Sequence, residues 1–259
     1  MAIFSILKLP NRFIHSSLRF CCQHQHSNKS NLIFRQVFEP ISCTYSYLLA
    51  DKSTRDAILI DPVYETVERD KKLIKQLDVN LKFILNTHVH ADHVTGSGKL
   101  KSIFPNSKSV ISSYSKAKVD VAVSHDDEVK FGEFKLICKH TPGHTDGCLT
   151  YVFEEMGMAF TGDALLIRGC GRTDFQQGDA GKLYDVVHKY ILSLPPYFLL
   201  YPAHDYSGQM VTTVEEELKH NPRLTKSRDE FINIMNNLNL SYPKQIDKAL
   251  PANMACGIF

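Results

Sequence analysis

Apolar residues along the chain fall into short β-type runs separated by turn residues, with a few longer stretches at helical spacing. Nine strands are predicted, at 44–49, 57–60, 81–85, 109–111, 128–131, 134–138, 149–153, 158–160 and 198–201. Four helices are predicted, at about 65–77, 181–194, 213–220 and 227–238. Strands punctuated by helices, with polar clusters at strand ends, predict two packed sheets with helices outside them. The expected fold class is mixed α/β (α+β), a four-layer αββα sandwich.

The N-terminal segment differs in composition from the rest of the chain. The first 38 of the 259 residues carry five Lys or Arg and no Asp or Glu. A basic, acid-free, Ser-containing leader is typical of an organelle transit peptide, and Lys8, Pro10 and Arg12 interrupt the apolar run that a secretory signal needs. We therefore expect a mitochondrial transit peptide over residues 1–33 and one catalytic domain over 34–259; the alternative is an uncleaved, disordered N-terminus.

Charge and cysteine content exclude several classes of protein. The net charge of +2 leaves −3 for the chain beyond residue 38, with no basic patch for nucleic acid. No stretch approaches the roughly 18 consecutive apolar residues of a membrane helix, so no membrane association is expected. The seven cysteines are scattered and form no CxxC pair, which argues against a disulfide scaffold and against a thiolate zinc site.

The strongest chemical signal follows the predicted strand at 81–85. His88, His90, Asp92 and His93 form an HxHxDH motif, four metal-capable side chains within six residues. Imidazole and carboxylate together suit zinc, iron or manganese. A chance His-rich surface loop is the alternative for this motif by itself.

Three further polar residues occupy the same kind of position, directly after a strand. His144 follows a Pro-Gly turn, Asp163 ends the strand at 158–160, and His204 follows the strand at 198–201. Alone, each is explained by a turn, a cap or a structural histidine. Since strands of a sandwich end along common edges, their joint occurrence with the HxHxDH motif predicts a metal site of seven residues.

The order HxHxDH, His, Asp, His resembles the metallo-β-lactamase superfamily, which implies the metallo-β-lactamase fold. Two enzyme classes of that superfamily fit the ligands. One is a thioester hydrolase similar to glyoxalase II, in which two metals share all seven ligands and a bridging hydroxide attacks an acylglutathione. The other is a mononuclear iron oxygenase with two His and one carboxylate as ligands. A non-catalytic binding module is a minor alternative, disfavoured because the ligand set is complete.

The surrounding sequence resembles the persulfide dioxygenases. The segment TGDALLIRGCGRTDFQ at 161–176, PAHDY at 202–206 and the ending at 246–257 carry the resemblance, which runs from about residue 34 to the C-terminus. Glyoxalase II also has a GCG turn, but it lacks the RTDFQ continuation and usually has a longer C-terminal helical region. The resemblance implies conversion of glutathione persulfide, O2 and water to sulfite and glutathione, in sulfide catabolism of the mitochondrial matrix.

The family also implies roles for individual residues. One Fe(II) per chain is expected at His88, His144 and Asp163. The remaining motif residues are then expected to hydrogen-bond these ligands or the iron-bound water: His90, Asp92, His93 and His204. A homodimer is compatible with these expectations.

Two residues near the predicted site have open roles. Arg172 is the candidate for binding a glutathione carboxylate, and an internal salt bridge that holds the Gly-rich turn is the alternative. Cys170 is expected to pack rather than react, because neither chemistry needs a protein thiolate. Cys256 has no evident chemical role.

Overall fold

The computed structural model describes residues 31–258, and a six-stranded sheet begins this part of the chain. Its strands lie in sequence order: β1 Leu32–Glu39, β2 Thr44–Asp51, β3 Asp56–Ile60, β4 Asn80–Leu85, β5 Lys108–Ser112 and β6 Val121–Val123. The first three strands pair antiparallel, and β3 to β6 pair parallel. Parallel pairing places the carboxyl ends of β3, β4 and β5 at one edge.

The second sheet also has six strands and runs in reverse sequence order from β12 to β7. Its strands are β7 Glu128–Phe131, β8 Phe134–His140, β9 Leu149–Phe153, β10 Met158–Gly162, β11 Leu199–Pro202 and β12 Thr212–Thr213. Only β10 and β11 pair parallel, so their carboxyl ends lie together. The α-helices are α1 Val67–Gln76, α2 Ser97–Ile103, α3 Ala180–Tyr190, α4 Val214–His220, α5 Arg228–Asn236 and α6 Ile246–Met254.

Three apolar layers hold the sheets and helices together. Tyr47 and Phe160, 5.0 Å apart between ring centroids, belong to the core between the two sheets. On the outer face of the first sheet, Leu59 packs with Ile74 of α1. On the outer face of the second sheet, Leu200 is in a cluster with residues of α3, α4 and α5. Each fully buried side chain of this size contributes about 1.5–3 kcal/mol. The layers confirm the predicted four-layer αββα sandwich.

All nine predicted strands and all four predicted helices are present, with shifted ends. The helix predicted to reach residue 194 ends at Tyr190, and 191–194 form a turn before Pro195. Five further elements are not predicted by the apolar pattern: β1, β6, β12, α2 and α6. Helix α6 contains Pro251, which has no main-chain N–H to donate within the helix. A proline at this position normally indicates the end of a helix, so the sequence pattern does not predict α6.

The predicted boundary between leader and domain falls within β1. This strand begins at Leu32, two residues before the predicted start at 34, and pairs with β2 over its full length. Residues 1–30 of the predicted leader lie outside the described residues. Within 31–258, none of the helices combines the length and the apolar character that crossing a bilayer requires.

Candidate metal centre

The structure brings all seven predicted metal-site residues together at one edge of the sandwich, where β4, β10 and β11 end and β8 turns. The donor atoms of His88, His144 and Asp163 all lie within 4.8 Å of one another. Those of His90, Asp92 and His93 form a second group within the same limit. The ends of two different sheets therefore supply one compact set of imidazoles and carboxylates.

Asp163 and His204 connect the two groups. Asp163 Oδ2 lies 3.5 Å from His144 Nε2, and Asp163 Oδ1 lies 3.7 Å from His204 Nε2. The same His204 nitrogen is 3.6 Å from Asp92 Oδ2. Three buried polar atoms of the set have no hydrogen-bond partner: His90 Nδ1, His93 Nε2 and Asp163 Oδ1. Buried polar atoms are normally paired, so these lone pairs fit a bound cation.

Hydrogen bonds fix the tautomer of the first histidine. The Thr87 hydroxyl donates its proton to Asp61 Oδ2 at 2.8 Å, so it accepts from His88 Nδ1 at 3.0 Å. His88 Nε2 is then the unprotonated nitrogen and is available to a metal. Asp61 Oδ1 also accepts from Thr87 N at 2.7 Å and from His90 Nε2 at 3.1 Å. One buried carboxylate thus orients both histidines of the HxH pair.

The third histidine is oriented by main chain. His144 Nδ1 donates to the carbonyl oxygen of Arg172 at 2.7 Å, which leaves Nε2 facing Asp163. Gly171 makes this approach possible, because a Cβ there would lie 2.8 Å from the His144 ring and 2.6 Å from the Asp163 carbonyl oxygen. The Gly-rich turn that follows Asp163 therefore serves the geometry of two expected ligands.

Burial and charge set the protonation of the site. Burial, reinforced by neighbouring histidines, lowers the pKa of His88 and of His90 well below the usual value, so both are neutral as metal ligands must be. Burial opposes ionisation of Asp92, but His204 and His93 outweigh it and hold the Asp92 pKa well below its usual range. Burial raises the pKa of Asp61 to about 6 against the hydrogen bonds from Thr87.

Asn253 of α6 holds the HxHxDH loop in place. Its Nδ2 donates to the carbonyl oxygens of His90 at 2.8 Å and of His93 at 2.9 Å. Its Oδ1 accepts from Thr95 N at 2.8 Å. The side chain is buried, so three main-chain groups of the loop depend on one residue near the C-terminus.

We expect Asn253→Ala to lower the free energy of unfolding by about 2–4 kcal/mol, because buried main-chain groups lose their partners. Metal content should fall as well, since two of these groups belong to the HxHxDH motif. Denaturant unfolding and metal analysis measure both effects. Asn233→Ala, on the exposed face of α5, is the control, with a change within about 0.5 kcal/mol. Equal stability of the two variants would contradict the role of Asn253.

A cavity of about 680 Å³ opens onto the site. Asp92, His144, Asp163 and His204 form part of its wall. The Gly-rich turn, the loop after it and the segment 240–244 that precedes α6 form most of the rest of the wall, and Ala91, Asp205, Tyr206 and Arg223 complete it. A cavity of this volume is in the range that encloses a small-molecule ligand.

Arg172 lines this cavity, but its charge is already paired. Its Nε and Nη2 donate to the two carboxylate oxygens of Asp174 at 2.6 and 2.7 Å, and Nη1 donates to the Ser241 carbonyl oxygen at 2.8 Å. The guanidinium carbon also lies 4.6 Å from the Phe175 ring centroid. The alternative role, an internal salt bridge, is therefore present, and the hydrogen bond to Ser241 ties the loop after β10 to the segment 240–244. Direct binding of substrate by Arg172 stays a prediction.

The two cysteines near the site differ in their surroundings. Cys170 is buried with its Sγ 3.7 Å from Met235 Sδ, and burial raises its pKa to about 11. Its thiol is packed, as expected, and the absence of a nucleophilic role stays a prediction. Cys256 is also buried and lines a small void beside His88 and His90.

Two residues that orient the site were missed in the sequence. Asp61 directly follows the predicted strand at 57–60, and a carboxylate at the end of a strand next to the HxHxDH strand is itself a signal. Asn253 carries no local signal, because its partners precede it by about 160 positions. Gln176 belongs to the RTDFQ segment, and its Nε2 donates to the Val89 carbonyl oxygen at 2.8 Å.

Comparison with known proteins extends these observations. The model of the metallo-beta-lactamase superfamily matches residues 44–207. The chain is 56% identical over 234 residues to the mitochondrial persulfide dioxygenase ETHE1 of Mus musculus, covering 90% of this chain and 92% of the relative. The crystal structure of ETHE1 from Myxococcus xanthus matches with a TM-score of 0.84 at 50% identity, covering 87% of this chain and 99% of that one.

The hydrolase alternative has more distant relatives. The cytoplasmic hydroxyacylglutathione hydrolase of Arabidopsis thaliana is 34% identical over 169 residues, covering 63% of this chain and 64% of the relative. Similarity to the dioxygenases therefore spans more of both chains and is stronger throughout.

Proposed function

Because the chain belongs to the persulfide dioxygenase family of the metallo-β-lactamase superfamily, we propose that it oxidises glutathione persulfide with O2 and water to sulfite and glutathione. The observation that carries the proposal is the cluster of His88, His144 and Asp163, of which His144 and Asp163 line a ligand-sized cavity. The composition of the leader and the mitochondrial name of the mouse relative support a location in the mitochondrial matrix.

The metal we propose is a single Fe(II) held by His88, His144 and Asp163. Two histidines and one carboxylate on one face leave coordination positions free, which is the ligand set of non-haem iron oxygenases. When bound, ferrous iron would supply the redox chemistry between the persulfide sulfur and O2. The fit rests on this chain's own atoms: two imidazoles whose hydrogen bonds use Nδ1 and leave Nε2 for a metal, and Asp163 Oδ1, which is buried without a partner.

The remaining residues of the site orient the expected metal ligands and bind the reactants. The Thr87 hydroxyl, itself held by Asp61, accepts from His88 Nδ1, and the Arg172 carbonyl oxygen accepts from His144 Nδ1, which leaves Nε2 of each ring available to a metal. Asp92 and His204, 3.6 Å apart, lie on the cavity wall beside Asp163. We assign them, with His90 and His93, to hydrogen-bonding the ligands and the water that the reaction consumes. One water adds the third oxygen of sulfite, and two protons are released.

Metal analysis combined with oxygen consumption tests this proposal. We expect about one iron per chain and O2 uptake with glutathione persulfide, with sulfite and glutathione as products. Acylglutathione thioesters, added under the same conditions, should remain intact. Two zinc ions per chain together with thioester hydrolysis would contradict the proposal.

One observation favours the hydrolase as the second candidate. His90, Asp92 and His93 form a group that is geometrically able to hold a second cation, and Asp163 stands between the two groups. A binuclear hydrolase would use this arrangement with a bridging hydroxide. The same assay separates the candidates, because only the hydrolase consumes the thioester.

A further inference from the structure

Arg223 stands apart from most arginines of the described chain. Five of the seven arginines within 31–258 have a carboxylate within 4.0 Å: Arg55, Arg69, Arg168, Arg172 and Arg228. The two without one in this part of the chain are Arg35 and Arg223. Arg35 lies in β1, away from the cavity, whereas Arg223 is half-buried in the cavity wall. A half-buried guanidinium without a carboxylate retains much of its capacity to bind an anion.

The main chain at Arg223 is held rigidly. Its N–H donates to Asn221 Oδ1 at 3.0 Å. The Asn221 amide nitrogen donates to Glu217 Oε2 at 2.8 Å and to the Gly169 carbonyl oxygen at 3.1 Å, and both side chains are fully buried. Arg223 is thereby tied to the Gly-rich turn that carries the His144 contact. The main chain that carries Arg223 therefore needs little further ordering when a ligand binds there.

The guanidinium has spare donors. Its Nη1 contacts the Cys170 carbonyl oxygen at 3.3 Å, and two sulfurs, Cys170 Sγ and Met235 Sδ, lie 3.9 Å from the same nitrogen. A guanidinium carries about five N–H donors in a planar fork, and sulfur is a weak acceptor. The Arg223 guanidinium therefore packs against two sulfur atoms and one carbonyl oxygen. Most of its N–H donors form no hydrogen bond with residues 31–258.

The cavity wall carries the carboxylates Asp92, Asp163 and Asp205, and its cations offer a position for an anionic ligand group. Of its three cations, Arg172 is neutralised by Asp174, whereas Arg223 and Lys244 have no carboxylate within 4.0 Å among residues 31–258. We propose that Arg223 binds a carboxylate of the glutathione part of the substrate, with Lys244 adding to the positive potential at the rim. This inference rests on the proposed function and assigns to Arg223 the specificity role that the sequence assigned to Arg172.

The test compares two substrates in the iron-loaded enzyme. Arg223→Gln should raise the KM for glutathione persulfide by about 10- to 100-fold with kcat little changed, because a charge-assisted pair is lost. The KM for the persulfide of mercaptoethanol, which has no carboxylate, should not change. Arg223→Lys should recover part of the loss. Arg35→Gln, at the other arginine within 31–258 that has no carboxylate within 4.0 Å, should leave both KM values at the wild-type level.

A wild-type measurement tests the inference without any variant. S-methylglutathione should inhibit more strongly than its dimethyl ester, in which both carboxylates are neutral. Equal inhibition, an unchanged KM for glutathione persulfide in Arg223→Gln, or equal losses on both persulfides would overturn the inference. Failure of the proposed function has a different signature, since the wild-type enzyme would then consume no O2 with either persulfide.

Discussion

Replacing His144 by alanine is expected to abolish iron binding and persulfide turnover together. His144 Nε2 lies 3.5 Å from Asp163 Oδ2, and its donor atom lies within 4.8 Å of that of His88. The His144→Ala variant keeps only two of the three protein ligands, because the alanine side chain has no atom that can bind a metal. We expect a loss of more than about 100-fold in metal affinity, since loss of a mere hydrogen-bond partner of a ligand already costs 10- to 100-fold.

Iron content by elemental analysis and O2 uptake on glutathione persulfide measure this prediction. His220→Ala is the matched control, because His220 is exposed at the end of α4 and belongs to neither group of donor atoms. It should keep wild-type iron and turnover. Full iron content in His144→Ala would show that the assignment of the iron ligands is wrong.

Asp61→Asn is expected to lower metal affinity by about 10- to 100-fold without touching a ligand. The Asp61 carboxylate accepts three hydrogen bonds, two from Thr87 and one from His90 Nε2. Asparagine has one acceptor oxygen and one donor group, so at least one donor of the site must face another donor. His88 and His90 then lose the partner that fixes their orientation and tautomer. A cost in stability of about 1–3 kcal/mol is expected for the same reason.

Metal titration into metal-free protein and denaturant unfolding separate these two effects. The control is Asp56→Asn at the start of the same strand, where the carboxylate is partly exposed and lies 3.8 Å from Lys82. An exposed pair of this kind contributes about 0–1 kcal/mol, and metal affinity should not change. If Asp61→Asn bound metal as tightly as Asp56→Asn does, the orienting role of Asp61 would be refuted.

The two arginines of the cavity wall, Arg172 and Arg223, differ in whether a neighbouring carboxylate already pairs with the guanidinium. Arg172 lies in the segment 161–176 that resembles the persulfide dioxygenases, and its residue type suits binding of a substrate carboxylate. In the structure its guanidinium is already paired with the carboxylate of Asp174, two residues later. Arg223 has no notable motif around it, and most N–H donors of its guanidinium are available for a ligand. Residue type alone does not reveal which cation is already neutralised, because that depends on the side-chain conformations of the folded chain.

The elements of the fold were predictable where the apolar pattern is strong. The buried strands β3 and β9 are nearly continuous apolar runs, and their positions follow directly from the sequence. Short edge elements such as β6 and β12 have three and two residues, too few to establish a period. Helix α6 was missed because Pro251 reads as a break, although it is stabilised by packing: Ala249 and Ala252 are buried beside Val94.

The sequence by itself determined the seven metal-capable residues and the family, because residue type and position at strand ends survive in a linear pattern. Only the tertiary structure decided how those residues are held. The tautomer of His88 depends on Asp61, 26 positions before Thr87, and the shape of the His loop depends on Asn253, 163 positions after His90. Hydrogen bonds are formed over about 3 Å in space irrespective of separation along the chain, so these partners are defined only once the two sheets and α6 have packed together.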